Sequence, residues 1–215
     1  MSKKLTMQMV KVALSASAGI GCALSAAFGD STDAANAASG AACDDVRPFY
    51  WEIGEESGSP VVSGQVGGTT YDRDTVMGIA SASKWIFGAY VLERYMGPPT
   101  GGAGATIISA LNMSEGHTSF SPVSCAFTTY VNGSNDDVDG SKVGYFNYGG
   151  GDGQYAAADT GLLALNAKNK TTLLAEVNSY LSLDSDFSYN FPAVAGGMKS
   201  SAAAYAEFLQ NLMNG

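Results

Sequence analysis

Ser81-Ala-Ser-Lys84, running on into Trp85-Ile-Phe-Gly-Ala-Tyr-Val-Leu-Glu-Arg-Tyr-Met96, is the stretch on which the reading of this chain turns. Residues 81 to 96 predict a helix, with Gly97-Pro98-Pro99 as its stop. Residues three apart on a helix share a face, so Ser81 and Lys84 point into the same space one turn apart. A serine hydroxyl is a weak nucleophile until a base takes its proton, and a desolvated lysine is one such base. Ser81 also falls near a helix N-terminus, where backbone N–H groups and the macrodipole favour developing negative charge. Taken alone, the pattern equally describes an N-cap serine followed by a solvated lysine. The apolar flanks, Ile79-Ala80 before and Trp85-Ile86-Phe87 after, favour a lysine that is more than solvated.

Outward from this helix the chain alternates short elements with turns. Residues 48 to 54 and 60 to 66 run or alternate apolar with Gly and Ser between them, which predicts an antiparallel hairpin. Residues 101 to 112 predict a second, shorter helix. Residues 113 to 147 read mostly as loop, with Asn132-Gly133, Asn135-Asp136-Asp137 and Asp139-Gly140 as turns. Helices are expected over 154–165, 170–183 and 199–213. Leu173, Leu174, Val177, Tyr180 and Leu181 repeat at helical spacing and are core candidates, as are Tyr205, Phe208, Leu209 and Leu212 on the last helix. There is no internal repeat.

Four blocks of this sequence, in order, resemble the serine β-lactamase and penicillin-binding protein superfamily. The first is Tyr71-Asp-Arg-Asp-Thr-Val-Met-Gly-Ile-Ala-Ser-Ala-Ser-Lys-Trp85, similar to the active-site segment. It is nearest to the branch with class C β-lactamases, family VIII esterases and nylon-oligomer hydrolases. Leu111-Asn-Met-Ser-Glu-Gly-His117 resembles that family's Leu-x-x-x-Ser-Gly-His segment. Phe146-Asn-Tyr-Gly-Gly-Gly-Asp-Gly-Gln154 resembles its Phe-x-Tyr-x-Ser-Gly-Asp-x-Gln segment. Ala195-Gly-Gly-Met198 and the residues to Gly215 resemble its Gly-Gly-Leu/Met segment and following helix. The likeness covers about residues 70 to 215. It implies Ser81 as the acylated nucleophile, Lys84 as its partner and Tyr148 as the tyrosine of the second catalytic motif. A phenol against serine and lysine can relay a proton to a leaving group. On its residues alone, Tyr148 also reads as a loop or strand tyrosine packing with Phe146.

Two departures from the family pattern bear on activity. Gly150 stands where the family has Asn or Ser, so a side-chain hydrogen-bonding group facing Lys84 or the substrate is lost. No Lys-Thr-Gly or His-x-Gly occurs among the 215 residues, and His117 is the only histidine. In the family that third motif lies on a strand that also supplies an oxyanion donor, and losing one such donor costs on the order of a hundred- to thousand-fold in rate. The resemblance therefore implies an α+β, β-lactamase-like fold, a helical region beside an antiparallel sheet, in a C-terminally incomplete chain. Of that sheet only the N-terminal hairpin is expected. It should present an unpaired edge, and the central helix should expose apolar surface.

Composition bounds the rest. Hydrophobic residues make up 46% of the chain, enough for a core, and 27 glycines point to many turns. A length of 215 residues suggests one domain. The net charge of −9 gives a nucleic-acid partner no electrostatic support. Lys3, Lys4 and Lys11 followed by the small, apolar run from Val12 to Phe28, with Ala27-Phe-Gly29 as a cleavage site, predict a secretory leader over 1–29. A buried N-terminal helix is the alternative. A lipoprotein reading of Cys22 is weaker, because Gly19-Ile20-Gly21 lacks the leucine a lipobox prefers. No other segment approaches the ~20 apolar residues of a membrane span. Residues 30–47 read as a flexible lead-in, leaving 48–215 as the partial hydrolase domain. In an exported chain, Cys43 and Cys125 suggest a disulfide, with two unrelated thiols as the alternative. No cofactor or metal site is expected. The expected function is an exported, periplasmic or secreted serine hydrolase acting on a small-molecule ester or amide, rather than a β-lactamase. The alternative is a non-catalytic binding protein on the same scaffold.

Overall fold

The computed structural model of the chain describes residues 31–118 and 138–214, and these gather into two compact units. One comprises the described residues up to 73 together with 206–214, and the other runs from 74 to 205. Among the described residues the fold is α+β, with helices and small antiparallel sheets. The expected leader over 1–29 lies outside the described residues, as does Cys125, so the expected Cys43–Cys125 pair does too. No helix among the described residues is long and apolar enough to cross a membrane.

In the first unit, helix α1 (Ser31–Ser39) occupies the stretch expected to be a flexible lead-in. Its alanines carry the highest helix propensity, and Asp33 lies in the first turn, where a carboxylate suits the helix dipole. Arg47 closes the other end. Its guanidinium donates to the Ser39 and Gly40 carbonyls at 2.7 and 3.2 Å and pairs with Asp44 at 2.8 Å. A 3-10 turn at Ala41–Val46 leads to strands β1 (Phe49–Ile53) and β2 (Val62–Val66). They pair antiparallel from Phe49 opposite Val66 to Ile53 opposite Val62, as the alternation predicts. Trp51 faces Gly64, and the indole fills the space a side chain would take: a Cβ there would lie 3.0 Å from Nε1. The connection between the strands is pinned by the end of the last helix. Gln210 Nε2 donates to the carbonyls of Glu55 and Gly58, each at 3.0 Å, and Asn214 Nδ2 to that of Glu56 at 2.7 Å. Among the described residues this sheet has two strands only.

The second unit starts with β3 (Met77–Gly78), a 3-10 turn at Ala80–Ala82, and α2 (Ser83–Tyr95). It continues through α3 (Gly101–Leu111), α4 (Gly151–Ala158), α5 (Lys170–Leu181), β4 (Ser188–Tyr189) and β5 (Met198–Ser200). The last helix, α6 (Ala202–Asn214), crosses the boundary between the units. Helix α2 buries Ile86, Phe87, Ala89, Tyr90 and Val91, each large side chain contributing about 1.5–3 kcal/mol relative to exposure. Its opposite face is open: Trp85 is 65% exposed and Met96 92%. The helix stops as expected, with Met96 left-handed and the Gly97 N–H reaching back to the Leu92 carbonyl at 2.8 Å. Helix α5 begins at a reciprocal capping box between Asn169 and Thr172, and turns Leu173 and Val177 into the core against α2. Tyr180 and Leu181, expected in the core, stay at least partly exposed. A polar network ties α2 to α5. Tyr90 donates to Glu176 at 2.9 Å, Arg94 donates to the Tyr90 hydroxyl at 2.6 Å, and Lys168 pairs with Glu176 at 3.1 Å.

Two expectations change here. The helix expected over 154–165 begins earlier and ends sooner, at Gly151 and Ala158. It ends because Asp159 turns the chain, its carboxylate accepting the Gly161 N–H at 2.7 Å and its carbonyl those of Leu162 and Ala164. The hairpin is also not the only sheet. Strands β3, β5 and β4 lie side by side in that order, Met77 opposite Ser200 and Tyr189 opposite Met198. Strands of two or three residues are too short to show an alternating pattern, so this sheet leaves no mark in the sequence.

Candidate active site

Ser81, Lys84 and Tyr148 come together in the second unit. Ser81 lies in the 3-10 turn that leads into α2, not in the helix itself as expected. The juxtaposition survives, because residues three apart eclipse in a 3-10 turn. Lys84 Nζ donates to Ser81 Oγ at 2.9 Å. Its second acceptor is the Ala195 carbonyl at 3.0 Å, contributed 111 residues away. The ammonium also sits 4.9 Å from the centre of the Tyr148 ring, within cation–π reach. Ser81 is exposed and Lys84 half-buried, so the hydroxyl is open to an incoming molecule while the ammonium is partly shielded. The Tyr148 phenol is held below its ordinary value, first by the hydrogen bond with Ser81 and then by the charge of Lys84.

The Tyr148 segment is positioned from both sides. Upstream, the Asn147 N–H donates to the Met113 carbonyl and the Gly144 N–H to that of Ser114, each at 2.8 Å. Downstream, the buried Asp152 carboxylate on α4 accepts the backbone N–H groups of Glu115 at 3.0 Å and His117 at 2.7 Å. The His117 ring stacks on Tyr155 of the same helix, with centroids 4.0 Å apart. Gly116 has φ +86°, and a Cβ there would come 2.9 Å from the Asp139 carbonyl oxygen, so this bend favours glycine. The two blocks at 111–117 and 146–154 thus form one support under Tyr148. Gly150 is the residue capping α4; it is buried, and α4 has no side-chain cap there.

Three further residues serve the site and lie outside the expected catalytic set: Gln154, Ser83 and Tyr205, the last expected only in the core. Gln154 is fully buried. Its Oε1 accepts the Val194 N–H at 3.1 Å and its Nε2 donates to the Pro192 carbonyl at 3.3 Å. It therefore fixes the loop that ends at Ala195, whose carbonyl holds Lys84. Ser83 is also fully buried, and the Tyr205 hydroxyl donates to the Ala82 carbonyl at 3.1 Å. Gln154 lies within the 146–154 block and Ser83 within the Ser-x-x-Lys motif itself, so position in a motif is the available signal. Among the described residues no group of three or more His, Cys, Asp or Glu is placed to hold a metal ion.

The arrangement can do nucleophilic chemistry. An exposed hydroxyl stands beside an ammonium and a phenol whose proton is more readily lost than usual; once ionised, that phenol can take a proton from Ser81 and return it to a leaving group. No protein-family model, curated protein or solved structure matches the chain.

Proposed function

We propose that this chain is a serine hydrolase of the β-lactamase-like kind, cleaving a small-molecule ester or amide through an acyl-enzyme on Ser81. The observation that carries the reading is the 2.9 Å contact between Lys84 Nζ and Ser81 Oγ, with the Tyr148 ring centre 4.9 Å from the same ammonium. In the first half-reaction Ser81 Oγ attacks the substrate carbonyl carbon while its proton passes to Tyr148 in its phenolate form, which the Lys84 ammonium favours. The tetrahedral adduct collapses, the C–O or C–N bond breaks, and the proton goes to the departing alcohol or amine. In the second half-reaction water attacks the acyl carbonyl, the Tyr148 phenolate takes its proton, the bond from the acyl carbon to Ser81 Oγ breaks, and the proton returns to Oγ as the acid leaves. Lys84 keeps its charge close to the developing oxyanion and holds its own place through the Ala195 carbonyl. Gly150 offers no side chain toward an amide-bearing substrate, which favours simple esters and small amides over β-lactams. The basic and apolar residues of 1–29 support export to the periplasm or the medium.

A second reading, a non-catalytic binding protein on the same scaffold, draws support from Gly150. Fluorophosphonate labelling separates the two. The hydrolase reading expects a covalent adduct on Ser81, identified by peptide mapping and abolished by Ser81→Ala with the circular dichroism spectrum unchanged. A label that survives Ser81→Ala, or maps to Ser83, would refute the nucleophile assignment.

A further inference from the structure

Ser83 stands between the two reactive residues and is fully buried, so it is not a rival nucleophile. Its Oγ donates to the Ala80 carbonyl at 2.7 Å and accepts the Met198 N–H at 3.3 Å. Ala80, immediately before Ser81, has φ +43°. That is the left-handed region, unfavourable for a residue with a Cβ, and such strain persists only where surrounding bonds over-determine it. The bonds here are identifiable. Ser83 grips the Ala80 carbonyl with both its hydroxyl and its N–H, the Ile79 N–H donates to the Met198 carbonyl at 3.0 Å, and Tyr205 holds Ala82. Met198 is three residues beyond Ala195, the carbonyl that holds Lys84. One short segment therefore fixes both ends of the Ser81–Lys84 contact, and Ser83 is the side chain that joins the nucleophile's turn to it.

We infer that Ser83 is a positioning residue for acyl transfer at Ser81: its hydroxyl fastens the strained Ala80 turn to the start of β5 and so keeps Ser81 Oγ within reach of Lys84 Nζ. The inference rests on the reading of Ser81 as the nucleophile. Alanine at 83 would leave the buried Met198 N–H without its acceptor and remove one of the two Ser83 bonds to Ala80. The turn could then relax toward an unstrained conformation and carry Ser81 with it. Glycine at 80 holds φ +43° without strain, so it should keep the turn in place even when the clamp is gone.

The test is a two-by-two set: wild type, Ser83→Ala, Ala80→Gly and the double variant. Each is assayed for the second-order rate of fluorophosphonate labelling at a temperature where circular dichroism shows it folded. Misplacing a reacting group by about 1 Å costs on the order of a hundred-fold, so Ser83→Ala should lower the rate by about that factor with the label still on Ser81. Ala80→Gly alone should stay near wild type. In the Ser83→Ala background it should restore about ten-fold. Loss of folded protein does not enter the comparison, because all four rates are read at a temperature where each chain is folded. A Ser83→Ala rate within about two-fold of wild type, or the same Ala80→Gly factor in both backgrounds, overturns the inference. If wild type takes no label, the nucleophile reading has failed, and the clamp is decided by urea unfolding of the same four chains. Coupling between the two substitutions supports the clamp, and strict additivity refutes it.

Discussion

Replacing Gln154 with leucine should cost the second unit about 1–4 kcal/mol, and the structure supplies the reckoning. The side chain is fully buried, and leucine has a similar volume, so no large cavity opens. The cost lies in the two backbone groups left behind, the Val194 N–H and the Pro192 carbonyl. An orphaned buried polar group costs about 1–3 kcal/mol, so two cost about 2–6 kcal/mol. Burying an apolar side chain in place of a carboxamide recovers roughly 1–2 kcal/mol. At about 2–4 °C per kcal/mol for a chain of this size, the melting temperature should fall by about 2–16 °C. The freed loop ends at Ala195, so Lys84 should also lose its fixed acceptor, and Ser81 labelling should slow beyond the loss of folded protein. Urea unfolding followed by far-ultraviolet circular dichroism gives the first quantity, and labelling at a temperature where both chains are folded gives the second. A stability change under about 0.5 kcal/mol would refute the argument, because the bonds from Gln154 would then be no better than water.

The Tyr148 phenol should titrate below 10.0, its ordinary value, because the bond with Ser81 and the Lys84 charge both favour phenolate. An ultraviolet difference titration of wild type against Tyr148→Phe isolates this phenol, and Lys84→Met should move it back up; no movement would show that the charge is not felt. Burial pushes the Glu176 carboxyl up, but hydrogen bonds from Lys168 and Tyr90 outweigh it, and the net shift is below 4.5. The folded chain then binds fewer protons than the unfolded one, so this contribution is complete above pH 4.5 and is lost as pH falls through the lowered value. Unfolding free energies measured from neutral pH down to about pH 3 should fall less steeply in Glu176→Gln than in wild type.

What could be read from the sequence was local, and what could not was remote. Helices α2, α3 and α5 were expected within a residue or two, because Gly97-Pro98-Pro99 and the apolar spacing of Leu173 and Val177 act over a few residues. The Ser81–Lys84 contact was legible for the same reason, and it tolerated the change from helix to 3-10 turn because a separation of three brings side chains together in both. The start of α4 was hidden by Gly149-Gly150-Gly151, which reads as loop by propensity, while its helix is held by Asp152 and Gln154 bonding to chain 35 to 40 residues away. The contacts that complete the site are remoter still: Lys84 to Ala195, Met198 to Ser83, and Tyr205 to Ala82 span 111, 115 and 123 residues. In each of these the acceptor or the donor is a backbone group, which any residue type supplies, so no side chain advertises it. Ala195 is the extreme case, since its carbonyl would be there whatever its side chain. Its trace in the sequence is indirect and lies at Gly197. A Cβ there would come 2.3 Å from the Phe191 carbonyl oxygen, so only glycine lets the loop fold back tightly enough to present the Ala195 carbonyl to Lys84.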